Sequence, residues 1–481
     1  MFKFATRIDF PISKASGELR RMSTVFESTA EGEWVEENQR PPSRHAVTPY
    51  HQPLLFSKSE RLSEFLRIVP TSEVRRTLAY RAVPRDPALW SGDRSHKIDA
   101  LSDFDQSYAP TEDVTTFTEL ILARIRRTFL AKDFGDEHYR EFFHGTRKVL
   151  QKEPLRPVPE SLSSTKGSIF ILTGPSLCGR TAYLHRLRRL LGKPFEVHGT
   201  GPAPAFMHVI PAIYLNYPEC GTLTGLLGDL RHALVAAVGS AGTPSGVFPE
   251  LAGLNAVNAA ISLCILLNVG VFIVDGASFE SLKGEPREVL AFLLKLQQAS
   301  AIPVIFSATC AYAHVLGLVG SKSSNAFAGK PVYFDPLPEP TAATIDEIVR
   351  LSGPWCDANS FLWSSGVFSA EKHQMPKELP LWTTGLALGR LGWLAQGYDE
   401  LQMEIAKRPE MLKDGAINRE SVTRIFLRRL RNQRGAREAV TSYMSQQSLE
   451  SDQDFFDYMD HLPQWFLEKK KNKELLYRVR H

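Results

Sequence analysis

From residue 168 onward the chain switches between short unbroken apolar runs and longer stretches with apolar residues three and four apart. Ser168–Thr173 (SIFILT), Val209–Leu215, Val271–Val274 (VFIV), Pro303–Phe306 and Val332–Phe334 are runs of the first kind, and each reads as a strand. Between them, Ala182–Leu191 carries Leu184, Leu187 and Leu191 on one stripe. Thr222–Val238 and Glu250–Leu267 read as helices separated by a Gly/Pro loop, and Pro286 opens a helix with Val289, Leu293 and Leu296 facing inward. Strands alternating with helices predict an α/β fold, a parallel five-stranded sheet with helices on both faces.

The flanks follow other patterns. Pro41 to Pro110 holds eight prolines and little periodicity, which predicts an extended segment that wraps something instead of folding alone. Phe117, Leu120, Ile121 and Ile125 then recur at helical spacing. After Asp335 the pattern is mainly helical, with candidate helices at Thr344–Leu351, Leu381–Leu394 and Glu420–Arg431. The expected organisation is a candidate mitochondrial presequence at 1–26, an extended Pro-rich segment at 27–110 and a helical region at 111–165. An α/β core at 166–336 and a helical C-terminal region at 337–481 complete it.

Composition narrows this picture. Among 481 residues, 57 Lys and Arg against 53 Asp and Glu give a net charge of +4, which excludes a histone-like polycation. Five cysteines stand far apart with no CxxC pair, so a zinc module is excluded and buried free thiols are expected. No unbroken 18-residue apolar stretch predicts a membrane span. The first 26 residues carry Lys3, Arg7, Lys14, Arg20 and Arg21 among hydroxyl and apolar residues. That composition fits a mitochondrial presequence as well as an ordinary basic terminus.

The chemistry lies in Gly174-Pro175-Ser176-Leu177-Cys178-Gly179-Arg180-Thr181. It has the form GxxxxGK[ST] with Arg in place of Lys, and it joins an apolar strand to a helix. A phosphate chain needs converging backbone N–H groups at a helix N-terminus, and glycines let the backbone approach it. The Thr181 hydroxyl is placed to ligate Mg²⁺. Val271–Asp275 delivers an acid at a strand end, as a Walker B segment does, with Asp275 as the second Mg²⁺ candidate; a buried strand with an acidic turn has the same pattern. Together the two segments, in this order, predict a P-loop NTPase core. Two departures argue against turnover. Arg180 is larger and planar where an ammonium is expected, and Gly276 stands where a catalytic Glu would follow Asp275. Ser307 or Thr309 is a candidate polar sensor at the end of the fourth strand, or a simple strand cap. The expectation is therefore little or no hydrolysis, with an active ATPase or GTPase as the alternative. No Asn-Lys-x-Asp follows a strand, so these residues do not choose between GTP and ATP.

These residues resemble the mitochondrial small-subunit ribosomal protein family also called death-associated protein 3. The resemblance rests on the strand–loop–helix order, Val271–Gly276 (VFIVDG), the strand and turn at Pro303–Ala308, and Val332–Leu337 (VYFDPL). It covers roughly residues 115–400. It implies an AAA-like core with a bound guanine nucleotide, GTP or GDP, on Gly174–Thr181 and Asp275 with Mg²⁺. It also implies a place in the small subunit of the mitochondrial ribosome, in the matrix. The partners would be small-subunit rRNA, neighbouring ribosomal proteins, and the large subunit at an intersubunit bridge.

Charge in the last residues is blocked. Residues 421–440 carry a net of +5, 441–460 a net of −5, and 461–481 a net of +4. On Glu420–Arg431, Val422, Ile425 and Phe426 share one face, and Arg424, Arg428 and Arg431 the other. That stripe is a candidate for rRNA phosphates, or a solvated face. Lys469, Lys470 and Lys471 form a second candidate. The acidic, aromatic block Glu450–Asp460 is expected to dock on protein, this chain's own basic segments included, instead of on RNA. Arg186, Arg188 and Arg189, after the loop, are candidates for RNA or nucleotide contact or plain surface residues, and are expected at the surface.

Overall fold

The apolar runs pair with one another. Strands β1 (Ile169–Gly174), β2 (Phe195–Val197), β3 (Met207–Asn216), β4 (Val269–Ala277), β5 (Val304–Thr309) and β6 (Val332–Tyr333) form one sheet in the order β2-β3-β4-β5-β1-β6. This is a computed structural model, and it describes residues 56–80, 93–101, 108–150, 153–163, 169–239, 251, 253, 255–317, 331–339, 341, 379–408, 411 and 418–480. Apart from Thr341, these lie in one compact unit formed by Leu54–Pro340 and Thr344–His481. The candidate presequence and the expected helix Thr344–Leu351 fall outside the described residues.

The five strands expected from the apolar runs pair parallel with one another. The five-stranded expectation is corrected by β2, which pairs antiparallel with β3 at the sheet edge. Three residues are too few to show a period, so β2 is silent in the sequence. Every residue of β1 and β5 is buried, as is all of β4 except Gly276, which requires cover on both faces of the sheet.

The helices between strands are Arg180–Leu191, Leu223–Gly239, Ala256–Leu266 and Pro286–Ser300. Leu184 and Leu187 are fully buried on the first, and Val289, Leu293 and Leu296 on the last. The helix expected at Glu250–Leu267 is shorter, Ala256–Leu266, with Asn255 at its N-cap position.

Within 56–101 the described chain is helical, not extended. Glu60–Phe65, Thr71–Leu78 and Arg94–Ala100 are short helices, and Leu62, Val74 and Leu78 are fully buried. What this segment wraps is the protein's own core. Arg186, expected at the surface, is buried: its Nε donates to the Leu78 carbonyl at 3.1 Å and its guanidinium lies 4.3 Å from the Tyr80 ring centroid. Helices Glu112–Leu130 and Glu137–Val149 follow, N-capped by Thr111 and Asp136.

The C-terminal helices build a second apolar cluster around Trp393, Tyr398, Phe426, Tyr443 and Phe466. The single helix expected at Leu381–Leu394 is two, Leu379–Leu386 and Leu391–Lys407. The break has a packing cause. Gly389 sits at φ +72°, and a Cβ there would meet the Leu337 carbonyl at 2.2 Å, so the backbone after β6 passes directly against it. Arg419–Arg429, Arg434–Gln446, Asp452–Tyr458 and Lys470–Arg480 complete the described chain. Among the described residues no helix is long and apolar enough to cross a membrane.

Candidate functional site

Strand β1 delivers Gly174 to the C-terminal edge of the sheet, where Phe334 crosses it. A Cβ on Gly174 would lie 2.4 Å from the Phe334 carbonyl, so only glycine fits. The loop then turns through Leu177 at φ +67° and Gly179 at φ +92° into the helix that starts at Arg180. A left-handed leucine is a strained position, held here because its carbonyl accepts from Gly392 N–H at 2.8 Å. Pro175 and Cys178 are buried, Ser176 is partly so, and Thr181 is exposed on the first helical turn. That turn leaves its N–H groups without intrahelical acceptors.

Strand β5 separates β1 from β4, so the loop and Asp275 stand on strands one apart along the same edge. Asp275 is 2% exposed. Its Oδ2 accepts from the Tyr214 hydroxyl at 2.9 Å, and the Tyr214 ring lies 5.0 Å from that of His185 on the loop's helix. Burial and the neighbouring carboxylate raise the Tyr214 pKa, so it remains a donor to Asp275. A carboxylate and a hydroxyl are hard oxygen ligands, and Asp275 with Thr181 suits Mg²⁺ by donor type. Gly276, at φ +92°, offers no side chain where a water-orienting acid is wanted.

Arg180 does not extend along the loop as a lysine would. Its Nη1 donates to the Ala308 carbonyl at the end of β5. Burial lowers its pKa, and the charge of Asp275 opposes the shift. Thr309, the sensor candidate, N-caps the following helix by accepting from Tyr312 N–H, and its hydroxyl donates to Asp460. Ser307 is buried with no hydrogen-bond partner for its Oγ among the described residues.

Sequence reasoning missed what meets the loop from the C-terminal region. Ser176 N–H donates to the Asp460 carbonyl at 2.7 Å. The Asp460 carboxylate accepts from Phe279 N–H at 3.0 Å on both oxygens, as well as from Thr309. Burial pushes its pKa up, against the Thr309 and Phe279 donors and the nearby Arg180. Arg390, fully buried, donates to Cys178 Sγ at 3.1 Å, to the Tyr443 hydroxyl at 3.0 Å and to the His461 carbonyl at 2.5 Å. The acidic block is expected to dock on basic segments, and its last residue instead meets backbone N–H groups of Ser176 and Phe279 and the Thr309 hydroxyl. Nothing in the pattern pointed to the phosphate loop as its target.

The basic candidates are placed less uniformly. Arg428 pairs with Glu400 at 2.6 Å and Glu404 at 2.9 Å on the preceding long helix. Arg424 and Arg431 are exposed. Lys469 donates to the Gln447 carbonyl at 2.9 Å and sits 5.2 Å from the half-exposed Trp465 ring; Lys471 is exposed, and the side chain of Lys470 lies outside the described residues.

The strand order, with the loop after β1 and the acid on β4 separated by β5, defines a P-loop NTPase fold. No protein-family model matches the chain, and no curated protein matches it. Solved structures do. A Walker-type ATPase of Pyrococcus abyssi is 12% identical, with 65% of this chain and 92% of that one covered and a TM-score of 0.33. The Aeropyrum pernix ORC1 protein, solved in complex with DNA, is 16% identical over 71% and 81%, with a TM-score of 0.31. Drosophila ORC bound to DNA is 16% identical over 69% and 88%, with a TM-score of 0.30.

Proposed function

We propose that this chain is a non-hydrolysing P-loop protein with a structural role, a component of the small subunit of the mitochondrial ribosome. In this reading the loop Gly174–Thr181 holds a guanine nucleotide, and Thr181 and Asp275 hold its Mg²⁺. The nucleotide ties the sheet edge to the C-terminal helices instead of driving a cycle. The observation that carries the non-catalytic reading is the commitment of Arg180 to the Ala308 carbonyl, beside a Walker B segment that ends in Gly276. A cation that is fixed on protein backbone is poorly placed to follow charge onto a departing phosphate. The ribosomal reading is supported by the resemblance of the loop, VFIVDG and VYFDPL. The exposed arginines Arg424 and Arg431, with Lys471, are its candidate rRNA contacts, and neighbouring ribosomal proteins and the large subunit are its other partners.

Two measurements test this reading. Tagged protein from a mitochondrial lysate should co-sediment with small-subunit rRNA; recovery only in the light fractions ends the ribosomal assignment. Purified protein should show no multiple-turnover hydrolysis of GTP or ATP. Turnover that disappears in Asp275→Ala would make the chain an active NTPase instead.

A further inference from the structure

We propose that this site selects a nucleoside diphosphate over the corresponding triphosphate, because Asp460 stands where the terminal phosphate would be read. The inference rests on the nucleotide reading above and deepens it.

In a P-loop the amides at the helix start cradle the inner phosphates, and the lysine position reaches the outer ones. Here the inner part is intact, with Gly179 in its left-handed turn and Thr181 exposed on the first helical turn. The outer part is engaged by protein. Ser176 N–H, earlier in the loop, is taken by the Asp460 carbonyl. The Asp460 carboxylate collects donors from the ends of two adjacent strands: Phe279 N–H just beyond β4 and the Thr309 hydroxyl at the end of β5. Arg180, which opens the helix after the next strand, β1, is close enough to act on Asp460 electrostatically.

A carboxylate is a planar anion that accepts about four hydrogen bonds. Two donors reach it at three contacts, which leaves little capacity to share a metal ion with a phosphate. Burial opposes its ionisation, and the Thr309 and Phe279 donors with Arg180 favour it; ionised, it adds negative charge at the outer end of the loop without adding a cation. The segment is also fixed. Arg390 holds the next carbonyl, that of His461, and Trp393 stacks on the His461 ring at 5.9 Å between centroids. A third phosphate must displace this anion or lie against it, and a diphosphate need do neither.

The test is titration calorimetry on the full chain with Mg²⁺ and GDP, GTP, ADP and ATP. Asp460→Asn, which keeps the size and an acceptor and removes the charge, is compared with the wild type. The wild type is expected to bind each diphosphate about tenfold or more tightly than its triphosphate, and Asp460→Asn to bring the pair within about threefold. Thr309→Val, which frees the carboxylate without touching the Asp460 backbone, should narrow the ratio too and covers the case in which Asp460→Asn does not fold. Equal affinities in the wild type, or an unchanged ratio in the folded variants, overturn the role of Asp460 while nucleotide binding stands. No binding of any nucleotide to any variant overturns the nucleotide reading and this proposal together.

Discussion

Arg390 donates a guanidinium N–H to the sulfur of Cys178 at 3.1 Å, which ties the centre of the phosphate loop to the C-terminal helices. The arginine is fully buried, and its other terminal nitrogen serves Tyr443 and His461. Arg390→Met keeps most of the volume and strips the Tyr443 hydroxyl and the His461 carbonyl of their donor. The expected loss of stability is about 2–4 kcal/mol. Urea unfolding of the two proteins measures it, and a change below about 0.5 kcal/mol would show that the tie contributes nothing.

Lys132 gives the protein a pH dependence above neutrality. It is 5% exposed, donates to Asn268 Oδ1 at 3.1 Å and lies 4.0 Å from the Phe129 ring centroid. Burial lowers its pKa to about 7 from the ordinary 10.5. Between these values the unfolded chain holds the proton and the folded chain does not, so stability rises with pH, by up to about 1.4 kcal/mol per unit. Below pH 7 both states are protonated and the contribution is flat. Lys132→Met should remove this slope from urea midpoints measured at pH 7, 8 and 9; an equal slope in both proteins would place its origin elsewhere.

The thiols should differ in reactivity. Cys178, Cys264 and Cys310 are buried, and burial raises all three pKa values, for Cys264 and Cys310 to about 12. Cys220 is exposed, against the expectation of buried thiols, and its hydrogen bond with Thr222 lowers its pKa. Among these four, iodoacetamide on the native protein should label Cys220 first, read by peptide mass spectrometry. Early labelling of Cys178 would mean that the loop opens readily.

Gly174→Ala places a methyl 2.4 Å from the Phe334 carbonyl. That carbonyl cannot retreat easily, because Phe334 N–H is bonded to the Thr173 carbonyl at 2.8 Å. A destabilisation of about 1–3 kcal/mol is expected, together with weaker nucleotide binding. A thermal shift assay with and without nucleotide separates the two effects; wild-type values in both would refute the close approach.

The apolar runs by themselves determined five of the six strands and the helices between them. An unbroken stretch such as VFIV is stable only where both faces are covered, and its alternation with helical stripes admits few topologies. The loop and Asp275 were legible for a related reason, since a strand end, a glycine and a helix start are all local features. The break at Gly389 and the burial of Arg186 were not, because each is imposed by a neighbour distant in sequence, and β2 was not, because three residues are too few to show a period. The same holds for Asp460. Its place beside Ser176 and Thr309 depends on how the C-terminal helices pack around Arg390 and Trp393, and periodicity within a segment carries no information on which distant segment it will meet. Sequence thus determined that a phosphate loop is present; only the tertiary structure decided that an aspartate from the far end of the chain stands over it.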